Sequence, residues 1–278
     1  MKKLLIVITV FALALACFGA CTKKEDGAKT LRVGMECAYA PYNWTQPTDL
    51  NGAVPISGSR DYAYGYDVMM AKYLADKIGY KLEIVKTDWD SLPPAVLAGT
   101  IDCAIAGQSI TSERQMTLDF TAPYYYASIV SLARADSPFA AATSLAGLSG
   151  AVCTSQMNTV WYDACLPQIN DAKILPAMDT APAMLIALVS GACDIIVTDL
   201  PTAMAAVSVY PELKLLDFTD TNDNFDVSEE EINIGISLKK GNAELLNLLN
   251  GALKELTVAD FERMMDEAIK VQPLEIDE

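Results

Sequence analysis

The chain has 278 residues, 52% of them hydrophobic and 20% charged, which is long enough for two α/β domains with separate cores and too apolar for a disordered polymer. Its formal net charge of −16 argues against nucleic acid as a partner, because binding phosphates needs an excess of Lys and Arg. Histidine is absent, which removes His-dependent triads, Cys–His dyads and most metal sites at once, so neither a metal nor a cofactor is expected.

In chain order the first feature is Lys2-Lys3, an apolar run over 4–18 and then Gly19-Ala20-Cys21. A basic start, a short apolar core and small residues before a cut site describe a secretory signal over 1–20, and the run is short for a membrane span. Phe18-Gly19-Ala20-Cys21 resembles a bacterial lipobox, with Cys17 a poorer competitor. The resemblance implies cleavage before Cys21, lipidation of its thiol and a polar tether over 21–29; a plain signal peptide with an incidental cysteine is the alternative. Five other cysteines, Cys37, Cys103, Cys153, Cys165 and Cys193, match no zinc spacing. Several fall in apolar strand-like runs, so buried thiols are expected rather than disulfides.

A short strand over 31–35 opens the mature chain, and 36–41 is a loop. Residues 45–64, rich in Pro, Gly, Asn, Ser and Asp, read as an extended loop or hairpin excursion. From Tyr66 the apolar residues take helical spacing until Gly79, with Asp67 in the first turn where the helix dipole favours an anion. A strand over 82–85, a helix from Ser91 that carries Pro93 and Pro94 in its first turn, and an almost wholly apolar strand over 101–106 follow. Apolar strands alternating with helices mark a sheet covered on both faces.

The second half repeats this logic. Strands are expected over 151–153, 173–175, 194–197, 214–218 and 232–238. Helices are expected from Thr159, over 180–190 and 201–209, and as two amphipathic segments between 243 and 269 broken near Thr257. "LAGTIDCAIAG" (97–107) and "LVSGACDIIVTD" (188–199) are the same device used twice: a helix end, a Gly, an Asp and an apolar strand. Ligands of open α/β sheets bind beyond the carboxyl ends of strands. Those ends carry Glu36, Gly107-Gln108-Ser109 and Thr198-Asp199.

Arg114 is the first anomaly there. It follows a helix start at Thr111 or Ser112, where a cation opposes the macrodipole. Either it pairs with Glu113 or Asp119 at the surface, or its guanidinium grips a ligand carboxylate bidentately. Asp199 either caps the next helix or accepts from a ligand ammonium. Glu36 is either an exposed loop carboxylate or a cleft residue. Tyr39 and Trp89 either pack in the core or sandwich an aliphatic or cationic group.

"LRVGMECAYAPYNW", "YGYDVMMAKYLADKIG", "WDSLPPAVLAGTIDCAIAGQSITSERQMTLDFTAPYY" and "GACDIIVTDLPTA" together resemble the polar-amino-acid group of ABC-importer solute-binding proteins, the bacterial extracellular solute-binding proteins of family 3. The resemblance covers nearly all of the mature chain, and the block over 89–125 is its most specific part. It implies a two-lobed, type II periplasmic-binding-protein-like α/β fold, each lobe a mixed sheet flanked by helices. Lobe 1 would be discontinuous, 30–128 plus 220–278; lobe 2 would be 129–219; a two-strand hinge would lie near 129–131 and 216–218.

The resemblance also implies roles. Arg114 matches the clamp on a ligand α-carboxylate, and Ser109 and the backbone of Gly107 match the groups that bind the carboxylate and the α-amine, with Gln108 beside them. Asp199 matches the acceptor for the α-ammonium, and Glu36 the residue near the ligand side chain, where the family usually has Asp. Tyr39 and Trp89 match an aromatic sandwich. Thr154, Gln156 and Met157 fall on the second lobe's anion loop but depart from its usual glycine-containing pattern. The excursion over 45–64 is longer than the family norm and is placed to overhang the cleft.

The partners implied are a free polar or cationic amino acid, a cognate ABC permease and the membrane through the lipid anchor, for a monomer with no chemistry on its ligand. A sensor or adhesin lipoprotein, and an enzyme similar to cyclohexadienyl dehydratase, are the readings from other classes.

Overall fold

The computed structural model describes Gly27 and residues 29–273. The signal segment over 1–20, the Cys21 lipidation site and most of the tether over 21–29 lie outside the described residues.

The expected parallel sheet forms first. Strand Thr30–Met35, whose inner residues Leu31, Val33 and Met35 are fully buried, pairs in parallel with Lys81–Lys86 on one side and Cys103–Ala104 on the other. Ser237–Lys239 and Leu118–Phe120 complete five strands, with Ser237–Lys239 running antiparallel to both of its neighbours. The second sheet follows the same plan. Val152–Thr154 pairs in parallel with Lys173–Ile174 and Ile195–Asp199, and Ile129–Arg134 runs antiparallel between Ile195–Asp199 and Leu213–Leu216. The duplicated motif seen in the sequence is therefore a duplicated topology. In each sheet the fourth strand is the one that runs antiparallel to both of its neighbours. The fold is α/β and two-lobed.

Helices cover the sheets as their periodicity requires. Tyr66–Ile78 buries Tyr66, Val68, Met70, Ala71, Leu74 and Ala75. Leu92–Ala98 starts with its prolines at positions whose missing N–H groups cost no hydrogen bond. Ala181–Val189 is capped by the Thr180 hydroxyl, and Leu200–Val209 by the Asp199 carboxylate. Val258–Val271 opens on a capping box in which Thr257 and Asp260 satisfy each other's backbone N–H groups.

Residues 45–64 take the hairpin form of the expected excursion: with Ala38–Tyr39 they build a small antiparallel sheet in the order Ala38–Tyr39, Asn43–Gln46, Tyr62–Tyr64, Val54–Pro55. Two expectations change. The strand expected over 232–238 is cut at Gly235, because its two halves pair with different partners: Asn233–Ile234 with Tyr125–Tyr126, and Ser237–Lys239 within the first sheet. A Cβ at Gly235 would sit 2.7 Å from the Ile110 side chain, which would have to shift to admit it. The helix expected from Thr159 is a single π-helical turn, Trp161–Cys165, followed by a 3₁₀ turn. Cys37, Cys103, Cys153, Cys165 and Cys193 are all buried free thiols.

Candidate functional site

Where the two lobes meet, the carboxyl ends of their strands face each other. A small cavity there, about 20 Å³, is lined by Glu36, Tyr39, Trp89, Gly107, Ser109, Arg114, Gln156, Thr159, Val160 and Trp161. That is room for roughly one water, so the walls are in near contact. Four hydrogen bonds join them across it. Tyr39 Oη donates to Asp199 Oδ2 at 2.5 Å, Trp89 Nε1 to the Met157 carbonyl at 3.0 Å, Arg114 Nη2 to the Asn158 carbonyl at 2.8 Å, and Gln156 Nε2 to Glu36 Oε1 at 3.3 Å.

Glu36 follows directly on the Thr30–Met35 strand and is only 5% exposed. Burial pushes its carboxyl up to about 7; the Gln156 bond pulls it back somewhat, and Asp67, Asp88 and Asp90 nearby add to the rise. The loop reading of Glu36 as an exposed carboxylate therefore fails. Tyr39 lies in the Ala38–Tyr39 strand, its ring stacked on Tyr42 at 4.7 Å and tilted against Trp161 at 6.3 Å.

Gly107 adopts φ +63°, and a Cβ there would fall 2.8 Å from the Tyr39 ring. Both the left-handed backbone and the close ring exclude a larger residue.

Arg114 sits in a four-residue helix, Ser112–Gln115, capped by the Thr111 hydroxyl. It makes no ion pair with Glu113 or Asp119; Asp119 instead accepts from the Gly241 N–H. Its guanidinium donates to the Ser109 carbonyl at 2.9 Å and to the Asn158 carbonyl, and lies 5.4 Å from the Trp89 ring centroid. Burial pulls its pKa down to about 10, so it stays cationic at neutral pH. A planar cation held by two carbonyls and an aromatic face, with further N–H donors spare, is suited to gripping an anion.

On the opposing lobe, Gln156 lines the cavity with Thr159, Val160 and Trp161. Thr159, Val160 and Trp161 were not singled out in the sequence. Their signal was positional: they follow the 154–158 loop at a helix start, where a second-lobe wall begins.

Four sequence-derived candidates do not line the cavity. Gln108 is buried but points back into its own lobe, accepting from Ser237 Oγ at 2.6 Å. Thr154 Oγ1 donates to the Pro176 carbonyl at 2.9 Å. Met157 reaches the site only through its carbonyl. Asp199 is 1% exposed and stands behind Tyr39, accepting also from Thr202 N at 2.9 Å and Thr202 Oγ1 at 2.9 Å. Its cap role is real, and burial raises its pKa despite those bonds. The excursion over 45–64 contributes nothing to the cavity; Trp44, Thr45 and Gln46 border a separate groove of about 410 Å³ facing the second lobe's helices.

The sequence description of the bacterial extracellular solute-binding proteins, family 3, matches residues 31–266. Among curated relatives, the arginine-binding extracellular protein ArtP of Bacillus subtilis is 31% identical over 164 residues, 58% of either chain. A probable histidine-binding protein of Campylobacter jejuni is 27% identical over 262 residues, 91% of either chain. Among solved structures, an ancestral amino acid-binding protein described as a precursor of cyclohexadienyl dehydratase superposes with a TM-score of 0.69 at 29% identity, covering 86% of this chain and 95% of that one.

Proposed function

The chain belongs to the bacterial extracellular solute-binding proteins, family 3, and from that premise we propose that it captures a cationic L-amino acid between its lobes and delivers it to an ABC permease. The observation that carries this reading is one cavity in which a guanidinium (Arg114) and a buried carboxylate (Glu36) face the second lobe among three aromatic rings. Arg114, with Ser109 and the Gly107 backbone, takes the ligand α-carboxylate. Glu36 takes the cationic end of the side chain, and Tyr39, Trp89 and Trp161 enclose its aliphatic stem.

Asp199 receives the α-ammonium once the Tyr39 hydroxyl swings off it. An ammonium is a charged donor and replaces a neutral phenol there with a stronger bond. Neither charge of the ligand is buried unpaired, which is what selects an α-amino acid over a simple acid or amine. Names of relatives point the same way, to arginine and histidine.

Lobe 1 is taken as 30–128 plus 220–278 and lobe 2 as 129–219. The hinge lies where Ser131 and Leu216 are paired, since the chain passes between the two sheets on either side of those strands. Opening about this hinge admits the ligand to a space that the closed walls reduce to about 20 Å³. Cys21 carries the lipid that holds the monomer beside its permease.

A thermal-shift screen of the common amino acids tests the reading. At about a thousand times its dissociation constant, a ligand adds about 4 kcal/mol of stability. Arginine, lysine or histidine should give the largest shift. Shifts from acidic or aliphatic amino acids alone would remove the cationic assignment, and no shift from any amino acid would remove the function. Turnover of prephenate or arogenate would establish the dehydratase alternative instead.

A further inference from the structure

Asp67 has 0% exposure and no cationic partner: the charged groups that bear on it are the carboxylates Glu36 and Asp199. A buried carboxylate without a counter-ion is costly, and its first-turn position in the Tyr66–Ile78 helix offsets only part of that cost. What it does instead is visible in its bonds. Oδ1 accepts from Tyr124 Oη at 2.7 Å, and that same phenol accepts from the Gly107 N–H at 3.1 Å. Oδ2 accepts from Asn43 Nδ2 at 2.8 Å, and Asn43 Oδ1 accepts from the Cys37 N–H at 2.7 Å.

The two backbone groups at the ends of these relays share a property. Cys37 has φ +54° and Gly107 φ +63°, so both are left-handed turns at the carboxyl ends of neighbouring parallel strands. For Cys37 that conformation carries a penalty of roughly 1–2 kcal/mol, which a fixed hydrogen bond on its N–H helps to hold. Each turn presents ligand-facing residues: Glu36 and Tyr39 flank Cys37, and Ser109 follows Gly107.

We infer that Asp67 is the positioning residue of the cleft's first-lobe wall, a single carboxylate that fixes both ligand-facing turns in register through Asn43 and Tyr124. In its ionised form the carboxyl is acceptor-only and takes both bonds at once, from Tyr124 Oη and from Asn43 Nδ2. An Asn at 67 offers one acceptor and one donor, so one of the two bonds is lost or reversed and the turn behind it is held less firmly. The consequence for affinity rests on the amino-acid-binding reading; the consequence for the two amides does not.

The experiment compares D67N, Y124F and N43A with the wild type. Amide hydrogen exchange at Gly107 and Cys37 is followed by NMR without ligand, and L-arginine binding by calorimetry. Y124F should expose the Gly107 amide and leave Cys37 protected, and N43A the reverse. D67N should loosen at least one of the two while amides of the second lobe stay unchanged, and weaken arginine about tenfold to a hundredfold, the range seen when outer partners of metal ligands are removed. Adding Y124F to D67N should cost less than Y124F alone costs.

Wild-type protection of both amides in D67N would overturn the inference. So would a lowered melting point with arginine affinity intact, which marks a purely structural group. Should D67N fail to fold, Y124F and N43A decide: exposure of both amides, or of neither, by each variant also overturns it. A wild type that binds no arginine or other amino acid refutes the proposed function, and the amide results then still read the relay.

Discussion

The two walls of the cleft are held by different means. The first-lobe wall hangs on side chains: Asn43 and Tyr124 tie its turns to the Asp67 carboxylate, deep in the lobe. The second-lobe wall closes on itself. Thr159 Oγ1 donates to the Gln156 carbonyl at 2.7 Å, Met157 N–H to the Met178 carbonyl at 2.8 Å, and Ser155 Oγ to the Val197 carbonyl at 2.7 Å. A wall tied to backbone carbonyls of its own lobe tolerates exchange of its outward side chains. One wired to a buried charge transmits a single substitution to every group it presents. Affinity is thus expected to be more fragile in the first lobe than in the second.

The largest effect should come from the residue that bridges both walls. Arg114→Ala removes donors to Ser109 on its own side and Asn158 on the other. Arginine affinity should fall at least about thirtyfold, in line with about 2–5 kcal/mol for truncating a buried charged partner. Calorimetry checks this, and an unchanged response would take Arg114 out of the site.

The next effect separates the two walls by titration. Glu36 and Asp67, both of the first lobe, are pushed up to about 7 by burial, from ordinary values of 4.5 and 3.8. A cationic side chain favours ionised Glu36, so arginine binding near pH 7 should release protons and strengthen as pH rises from 6 to 8. Glutamine should show a smaller dependence. Stability runs the other way. Between about pH 4 and 7 the folded chain holds two protons that the unfolded chain has released, so these groups make it less stable as pH rises through that window. Melting curves at pH 5 and 8 test the sign: the contribution of Glu36 shows as a smaller fall in E36Q than in the wild type. Equal slopes would contradict the assignment.

The smallest effect probes the contact between walls. Tyr39→Phe keeps the ring against Tyr42 and Trp161 but removes the hydroxyl from Asp199. With that competitor gone, arginine should bind about fivefold tighter, the worth of one net hydrogen bond of about 1 kcal/mol. Weaker binding would place the hydroxyl on the ligand instead of on Asp199.

Much of this architecture is legible in the sequence. Alternation of apolar strands with amphipathic helices, and the repeated helix–Gly–Asp–strand device, foretold two like sheets. The ends of those strands located Glu36, Gly107 and Ser109 on the cavity wall. What stayed hidden was side-chain direction. In the turn beyond the Cys103–Ala104 strand, Gly107 and Ser109 line the cavity while Gln108 between them turns to Ser237. Thr154 escaped for the same reason, and Asp199 because its shield, Tyr39, comes from 160 positions away. Asp67 read as an ordinary dipole partner; nothing local in the sequence shows that its two acceptors reach residues 43 and 124.

The paired topologies differ in one respect that bears on assembly. Every strand of the second sheet lies between residues 129 and 216 of one uninterrupted stretch, whereas the first sheet lacks its fourth strand until Ser237–Lys239 has been made. A chain emerging amino-terminus first therefore completes the later-numbered sheet before the earlier one. Until that strand arrives, the edges of Cys103–Ala104 and Leu118–Phe120 that await it are open to stray pairing.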